Sequence, residues 1–298
     1  MHGYGSQGGE VMKAAEWKDY SVIATGDGYK LERWGKVILL RPDPQVIWKS
    51  RIKFDEYKNL SAKYIRSDTG GGHWTFKSKM PEEWTISYND LKFKVKPMGF
   101  KHTGLFPEQA VNWDYMRSLV EKSGRKISVL NLFAYTGGAT CALLKAGASV
   151  CHVDAAKAMV ERAKENAALS GVSDGDVRYI VDDCKKFVER EIRRGRKYDA
   201  IVMDPPSYGR GPSGEIWKLE TELYPLVELC EKVLSDNPLF FLINSYTTGL
   251  QPQVIKNVLV SAVQNKRGGK TEAYEVGLKT EEQDIILPCG NSGIWTNI

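Results

Sequence analysis

The sequence is poor in the residues that hold metals, span membranes or cradle dinucleotides. It has only five cysteines and four histidines in 298 residues. Cys141, Cys151, Cys184, Cys230 and Cys289 are widely spaced and form no CxxC pair, so no metal site is expected. An odd, scattered set inside apolar segments reads as reduced, buried thiols of a cytoplasmic protein. The longest apolar run is Leu239 to Ile243, far short of the ~20 residues a helical membrane span needs. No basic stretch followed by an apolar one opens the chain, so no secretory signal is expected. The GxGxxG fingerprint is also missing, because Ala139, Thr140 and Cys141 follow Gly137-Gly138. Pyrophosphate cradling is therefore not supported. Disorder is excluded as the dominant state by a hydrophobic content of 42%.

Charge is unevenly spread. Lys and Arg number 42 against 37 Asp and Glu, a net +5. Residues 1–100 hold 17 basic and 12 acidic side chains, so the whole excess lies in the first third. There Arg51, Lys53, Lys58, Lys63 and Arg66 interleave with Phe54, Tyr57 and Tyr64. Two readings stand: phosphate contacts with stacking faces for bases, or a solvated surface whose aromatics turn into a core. A second basic run, Arg190 to Lys197, ends an expected helix and suits the dipole there.

The pattern divides the chain into three parts. Residues 1–16 read as a flexible, Gly-rich arm. Residues 17–96 read as a small β-rich domain for substrate recognition, with strands at Tyr20–Thr25, Tyr29–Trp34 and Lys36–Arg41 and a hairpin at Trp84–Tyr88 and Leu91–Val95. Residues 97–298 form the third part, opened by a Pro- and Gly-marked linker or loop. From Ile127 strands and helices alternate, with strands expected at Ile127–Ala134, Ser149–Val153, Val177–Val181, Tyr198–Met203 and Pro238–Asn244. Between and after them fall helices at Ala139–Ala146, Ala156–Ser170, Cys184–Arg194, Lys218–Ser235 and Pro252–Asn265. Glu272–Leu278 and Asp284–Pro288 can add an antiparallel edge. The fold class is α/β, a doubly wound and mostly parallel sheet, which binds ligands outside the carboxyl ends of its strands.

Those strand ends carry the chemistry. The first ends Asn131-Leu132-Phe133-Ala134-Tyr135-Thr136-Gly137-Gly138, where a glycine pair lets backbone approach a ligand closely. The second ends at Asp154, which can accept from ribose hydroxyls, cap the helix after it, or both. The third ends Asp182-Asp183-Cys184; one carboxylate can meet an adenine amine, though capping alone explains the pair. The fourth ends Asp204-Pro205-Pro206-Ser207-Tyr208. Two prolines fix φ and lack N–H groups, so carbonyls are expected to face the cleft without local donors. Such a turn can take the hydrogens of an amino group and aim its nitrogen, while Tyr208 offers a stacking face. The fifth ends Asn244-Ser245-Tyr246-Thr247 and lacks a cysteine.

Taken in order, these motifs resemble a class I S-adenosylmethionine-dependent methyltransferase. More narrowly, the chain is similar to the bacterial group of large-subunit ribosomal RNA cytosine-C5 and guanine-N7 methyltransferases. The segment Lys101-His102-Thr103-Gly104-Leu105-Phe106-Pro107-Glu108-Gln109 strengthens the likeness, which covers residues 97–250. The resemblance implies that Asn131 through Gly137, including Phe133, Ala134, Tyr135 and Thr136, wrap the methionine part of S-adenosylmethionine. It implies that Asp154 and Ala155 hold the ribose, that Asp183 and Cys184 meet the adenine, and that Phe106 and Gln109 close over the cofactor. Asp204 would face the methyl group and Pro205 the target base, with Pro206, Ser207, Tyr208 and Tyr246 on the substrate side.

The departures narrow the chemistry. The group's Asp-Gln-Arg reads Glu108-Gln109-Ala110 here, and its N-terminal RNA-binding module is not found. The C5 enzymes add a cysteine to the ring, whereas this fifth strand offers Ser245, a far poorer nucleophile. The expectation is a methyltransferase acting on a base nitrogen of ribosomal RNA, in the cytoplasm. The alternatives are a small-molecule or protein methyltransferase, a non-catalytic RNA-binding protein and, more remotely, a nicotinamide oxidoreductase. Tyr208, Tyr246 and Trp217 are candidates to stack an extruded base, and core packing explains Tyr246 and Trp217 equally well.

Overall fold

Near-continuous apolar strands need cover on both faces, and the amphipathic helices between them supply it. The computed structural model describes residues 12–68, 70–210, 216–247, 249–282 and 284–298. Its first half contains β1 (Met12–Ala14), β2 (Tyr20–Gly26), β3 (Tyr29–Trp34), β4 (Val37–Pro42), β5 (Ala62–Arg66), β6 (Gly72–Phe76), β7 (Trp84–Tyr88) and β8 (Leu91–Val95). Then come α1 (Ala110–Lys122), β9 (Ser128–Leu132), α2 (Gly138–Lys145), β10 (Ser149–Asp154), α3 (Lys157–Leu169), β11 (Val177–Val181), α4 (Cys184–Arg193) and β12 (Ala200–Met203). The chain continues through β13 (Tyr208–Arg210), β14 (Ile216–Lys218), α5 (Leu219–Glu231), β15 (Phe240–Ser245), α6 (Pro252–Leu259), β16 (Lys270–Lys279) and β17 (Ile286–Thr296).

Eight strands form the main sheet in the order β1-β16-β17-β15-β12-β9-β10-β11. Strands β9, β10, β11, β12 and β15 are mutually parallel, so their carboxyl ends share one edge. The antiparallel addition is β17, inserted between β15 and β16. It runs from Ile286 to Thr296, well beyond the expected Pro288, because its partner β15 extends alongside through six paired positions. The fifth expected helix ends at Leu259 and continues as a π-helical turn over Val260–Gln264.

Three elements differ from the sequence reading. Helix α1 was not expected: no side chain caps its start, which removes the usual opening signal. Its buried Trp113, Met116, Leu119 and Val120 nevertheless recur at helical spacing and seat it on the core. Of the expected arm, residues 1–11 lie outside the described residues, but Met12–Ala14 pair in parallel with β16. The β-rich part is also not packed separately. Its hairpin β7–β8 sits on α3, where Ser170 Oγ and Asn166 Oδ1 accept from the Lys92 and Lys94 amides at 3.0 and 2.9 Å. One apolar core takes in Tyr20, Trp34, Phe93, Trp113 and Val129.

The remaining N-terminal strands form a five-stranded sheet, β2-β3-β4-β5-β6. Within the basic and aromatic run before and along β5, Phe54 and Tyr64 are buried and Tyr57 is half-buried. Those rings serve the core. Inside this sheet Arg41 Nε meets Glu32 Oε2 at 2.6 Å, and Tyr20 donates to the same carboxylate at 2.7 Å. Burial alone would raise Glu32, but Arg41 and Lys30 overcome it and hold it at about 2. Replacing Arg41 by Met strands a buried carboxylate, and we expect a loss of about 3–5 kcal/mol in urea unfolding at pH 7. Adding Glu32→Gln should recover much of it, because no uncompensated charge then remains buried.

Candidate active site

The loop after β9 is the floor of the site. Phe133 and Tyr135 both sit at positive φ, 53° and 51°, an uncommon state for bulky residues. Each is held by its neighbours. The Phe133 amide donates to Cys184 Sγ at 3.2 Å, and the Tyr135 amide to Asp154 Oδ2 at 2.9 Å. Thr136 Oγ1 donates to the Gly104 carbonyl at 2.7 Å, and Asn166 donates to the Thr136 carbonyl at 2.8 Å. The two glycines that follow answer to packing within the protein. Gly137 has φ 81°, and a Cβ there would lie 2.9 Å from that of Ala163; at Gly138 a Cβ would lie 2.5 Å from the Trp113 ring. Packing alone is therefore sufficient reason for both glycines.

One cleft is lined by Phe106, Gln109, Asn131, the Phe133–Gly137 loop, Asp204 and Asn244, with Leu105, Trp113 and Met116 behind. It joins most residues expected around the methionine part of the cofactor. Asp154 and Ala155 stand at the next strand end, outside that lining. Asp154 Oδ1 and Oδ2 each accept one backbone N–H, from Ala156 and Tyr135. A carboxylate has about four acceptor positions, so both oxygens retain capacity for two hydroxyls. The donor set thus fits a ribose. Asp183 is exposed and caps α4, accepting from the Lys186 amide at 2.9 Å. Cys184 is placed differently from its expected contact with adenine: its buried thiol lies under the loop and supports Phe133.

Asp204 closes the cleft at the end of β12. Burial pushes its carboxyl up to about 7; the Asn244 amide, donating at 3.0 Å, pulls it down, and Glu108 nearby raises it again. Pro205 is buried, while Pro206, Ser207 and Tyr208 are exposed. The Pro206 carbonyl is not free of donors as expected. Trp217 Nε1 donates to it at 2.6 Å, and the Trp217 ring meets Phe133 at 5.5 Å. Ser207 Oγ accepts from Thr247 Oγ1 at 2.6 Å, which ties the turn to the end of β15. Facing it, Phe106 lies between Tyr246 and Tyr135, with ring centroids 5.3 and 5.5 Å away.

A buried polar chain connects the two sides. Gln109 donates to the Tyr246 hydroxyl at 2.9 Å, and Asn112 donates to Gln109 at 2.8 Å and to Ser292 at 3.0 Å. Ser292 donates to Asn244 at 2.9 Å, and Asn244 to Asp204. Tyr274 completes Asn112 by donating to its Oδ1 at 2.8 Å. Sequence reasoning missed Asn112, Ser292 and Tyr274, which belong to elements far apart in the chain. Glu108 had been quoted without a role. It is buried, which raises its carboxyl, against the pull of Lys30 and the Tyr246 hydroxyl.

Known proteins carry the same architecture. A family model described as S-adenosylmethionine-dependent methyltransferase matches residues 57–247. A solved SAM-dependent methyltransferase from Agrobacterium tumefaciens is 32% identical with a TM-score of 0.90, covering 97% of this chain and 93% of that one. A methyltransferase solved in complex with SAH is 17% identical, with a TM-score of 0.68 over 95% of this chain and 76% of that one, and shares the fold. The ribosomal RNA large subunit methyltransferase K/L of Shewanella frigidimarina is 34% identical over 148 residues, 49% of this chain. The matched stretch is only 20% of that relative's length.

Two outcomes follow from this geometry. Asp204→Asn removes a carboxylate whose folded-state pKa is raised, so it should raise Tm at pH 8, where both folded and unfolded aspartates are charged. That gain should fade as pH falls through about 7 and vanish near pH 4. A thermal-melt series across pH 4–8 reads it directly. Asn112→Leu leaves Gln109, Ser292 and Tyr274 short of partners and should cost about 1–3 kcal/mol in chemical denaturation.

Proposed function

The chain belongs to the S-adenosylmethionine-dependent methyltransferase family, and from that membership we propose that it methylates a base nitrogen of ribosomal RNA in the cytoplasm. The observation that carries this reading is the Asp204-Pro205 turn. It presents a proton acceptor of pKa about 7 at the carboxyl end of β12, oriented by Asn244 and set opposite Phe106 and Tyr246. The curated relatives named as ribosomal RNA large subunit methyltransferases support the substrate class.

When bound, S-adenosylmethionine supplies an electrophilic methyl group, so the protein's task is to align the nucleophile and exclude water. Asn131 and the Phe133–Gly137 loop hold the methionine part, with Phe106 and Gln109 closing over it. Asp154 takes the ribose hydroxyls beside Ala155, and Asp183 lies at the adenine end. Cys184 acts through the Phe133 backbone. Asp204 accepts hydrogens of the target nitrogen, and Pro205, Pro206, Ser207, Tyr208 and Tyr246 form the seat of the base. A general acceptor near neutral pKa suits that task.

Ring-carbon chemistry is disfavoured by the cysteines. Cys141, Cys151, Cys184 and Cys230 are buried in the core. Cys289 is the one near Glu108 and Tyr246, and burial followed by the Glu108 charge raises its thiol well above the ordinary range. A thiol held protonated is a poor nucleophile.

The test is methyl transfer from labelled S-adenosylmethionine into RNA from cells lacking the protein, followed by nucleoside digestion. One labelled nucleoside modified on nitrogen is expected, and Asp204→Ala should lower the rate about 10²–10⁴-fold. Label on a ring carbon, or none in RNA while the cofactor still binds, would overturn the proposal.

A further inference from the structure

The aromatic rings that the basic run of the sequence drew attention to are largely inside the N-terminal sheet. Two others are not. Phe76, the last residue of the edge strand β6, is 59% exposed, and Phe100 is 73% exposed. Exposed apolar rings beside a groove are the usual mark of an interaction surface, and Phe76 lines one.

Their elements adjoin. The register of β5 and β6 pairs Ala62 with Phe76 and Tyr64 with Trp74, so Trp74 and Phe76 share a face of the sheet. Trp74 Nε1 donates to the Met98 carbonyl at 2.7 Å, which sets the loop carrying Phe100 against β6. An open groove beside Phe76 is lined also by Lys79, Met80, Lys96 and Pro97, with Glu82 as its one acidic side chain. Lys79 and Lys96 form no ion pair among the described residues, and neither does the adjacent Lys77.

The loop is strained and firmly held. Phe100 has φ 54° and Lys101 φ 64°, two successive non-glycine residues in the left-handed region. Such backbone persists only when its surroundings over-determine it. Here the Met98 amide donates to the His102 carbonyl at 2.8 Å, Lys101 Nζ to the Pro42 carbonyl at 2.8 Å, and Arg41 to the Lys101 carbonyl at 3.0 Å. The strain puts a phenyl ring into solvent at a fixed position. From it a line of rings leads inward: His102 touches Phe106 at 5.7 Å, and Phe106 touches Tyr246 across the cleft.

We infer that the groove at Phe76, together with the adjoining loop that carries Phe100, binds single-stranded RNA flanking the methylated base. Phe76 and Phe100 stack unpaired bases, and Lys79 and Lys96 contact phosphates. This rests on the RNA reading of the active site. Unpaired strand is specified because stacking on exposed rings needs splayed bases, which a duplex does not offer. The free lysines set the sign of the partner's charge.

The experiment measures binding of a fluorescein-labelled, mixed-sequence 12-nucleotide RNA by anisotropy at several salt concentrations. Phe76→Ala with Phe100→Ala should weaken binding at least 5-fold, and up to about 150-fold for each base unstacked. Lys79→Glu with Lys96→Glu should weaken it and lower the slope of log K against log salt by about 1.4, the value for two single-strand phosphates. S-adenosylmethionine affinity by calorimetry should stay at the wild-type value in both variants, which shows that the fold is intact. RNA affinity unchanged in the variants, with wild-type binding intact, would overturn the groove and leave the RNA reading standing. Wild-type protein that binds the cofactor but no RNA would overturn both.

Discussion

The side chain of Asn112 is the point on which the site turns. It lies on α1, is buried, and uses its amide nitrogen on Gln109 and Ser292 and its oxygen on Tyr274. Through those bonds the segment before the catalytic sheet, the last strand β17 and the end of β15 become one rigid body. Asp204 and Tyr246 sit at the two ends of that chain. Their separation is set by a continuous run of side-chain hydrogen bonds, and buried networks of this kind specify one arrangement only when every member is satisfied. A catalyst that works by alignment needs that property more than it needs any single strong contact.

The floor of the cleft shows the corresponding cost. Phe133 and Tyr135 hold left-handed backbone that neither residue prefers. The two groups that keep them there, Cys184 Sγ and the Asp154 carboxylate, lie at the ends of neighbouring strands. The loop's shape is therefore a product of strand order. Only a sheet that sets β10 beside β9, with α4 starting just beyond, can bring both acceptors under one turn. Asp154 serves twice, shaping the loop through Oδ2 and the start of α3 through Oδ1, with acceptor capacity left on both oxygens.

What was legible in the sequence follows the same logic. Strands β9, β10, β11, β12 and β15 could be read because each is a short apolar run followed by a distinct signal at its carboxyl end. Asp154 and Asp204 were singled out because ligands in this fold gather at those strand ends, and both stand there. Helix α1 had no capping residue to announce it, and Asn112 on it looks like any helical amide until Ser292 and Tyr274 arrive from far along the chain. The glycine pair has a second reason that the sequence did not show: its neighbours are Ala163 and Trp113, which only the packed structure supplies. The basic and aromatic run left two readings open, since composition reports which rings are present and not which way they face; Phe54 and Tyr64 turn into the core.

The N-terminal sheet takes part in the chemistry without reaching the cleft. Its buried Lys30 and Arg41 both act on Glu108, drawing down a carboxyl that burial raises. Glu108 in turn raises Asp204. A charged Glu108 thus helps keep Asp204 near neutrality, and the N-terminal cations favour that charge. Charge–charge effects of this kind are largest where water is excluded. The proton affinity of Asp204 is raised by its own burial, lowered by the Asn244 amide and raised by Glu108, whose own carboxyl feels Lys30 and Arg41 one sheet away. Cutting the protein at residue 96 would separate those two cations from Glu108 and Asp204. The division between a recognition part and a catalytic part is thus a feature of the chain's order more than of its electrostatics.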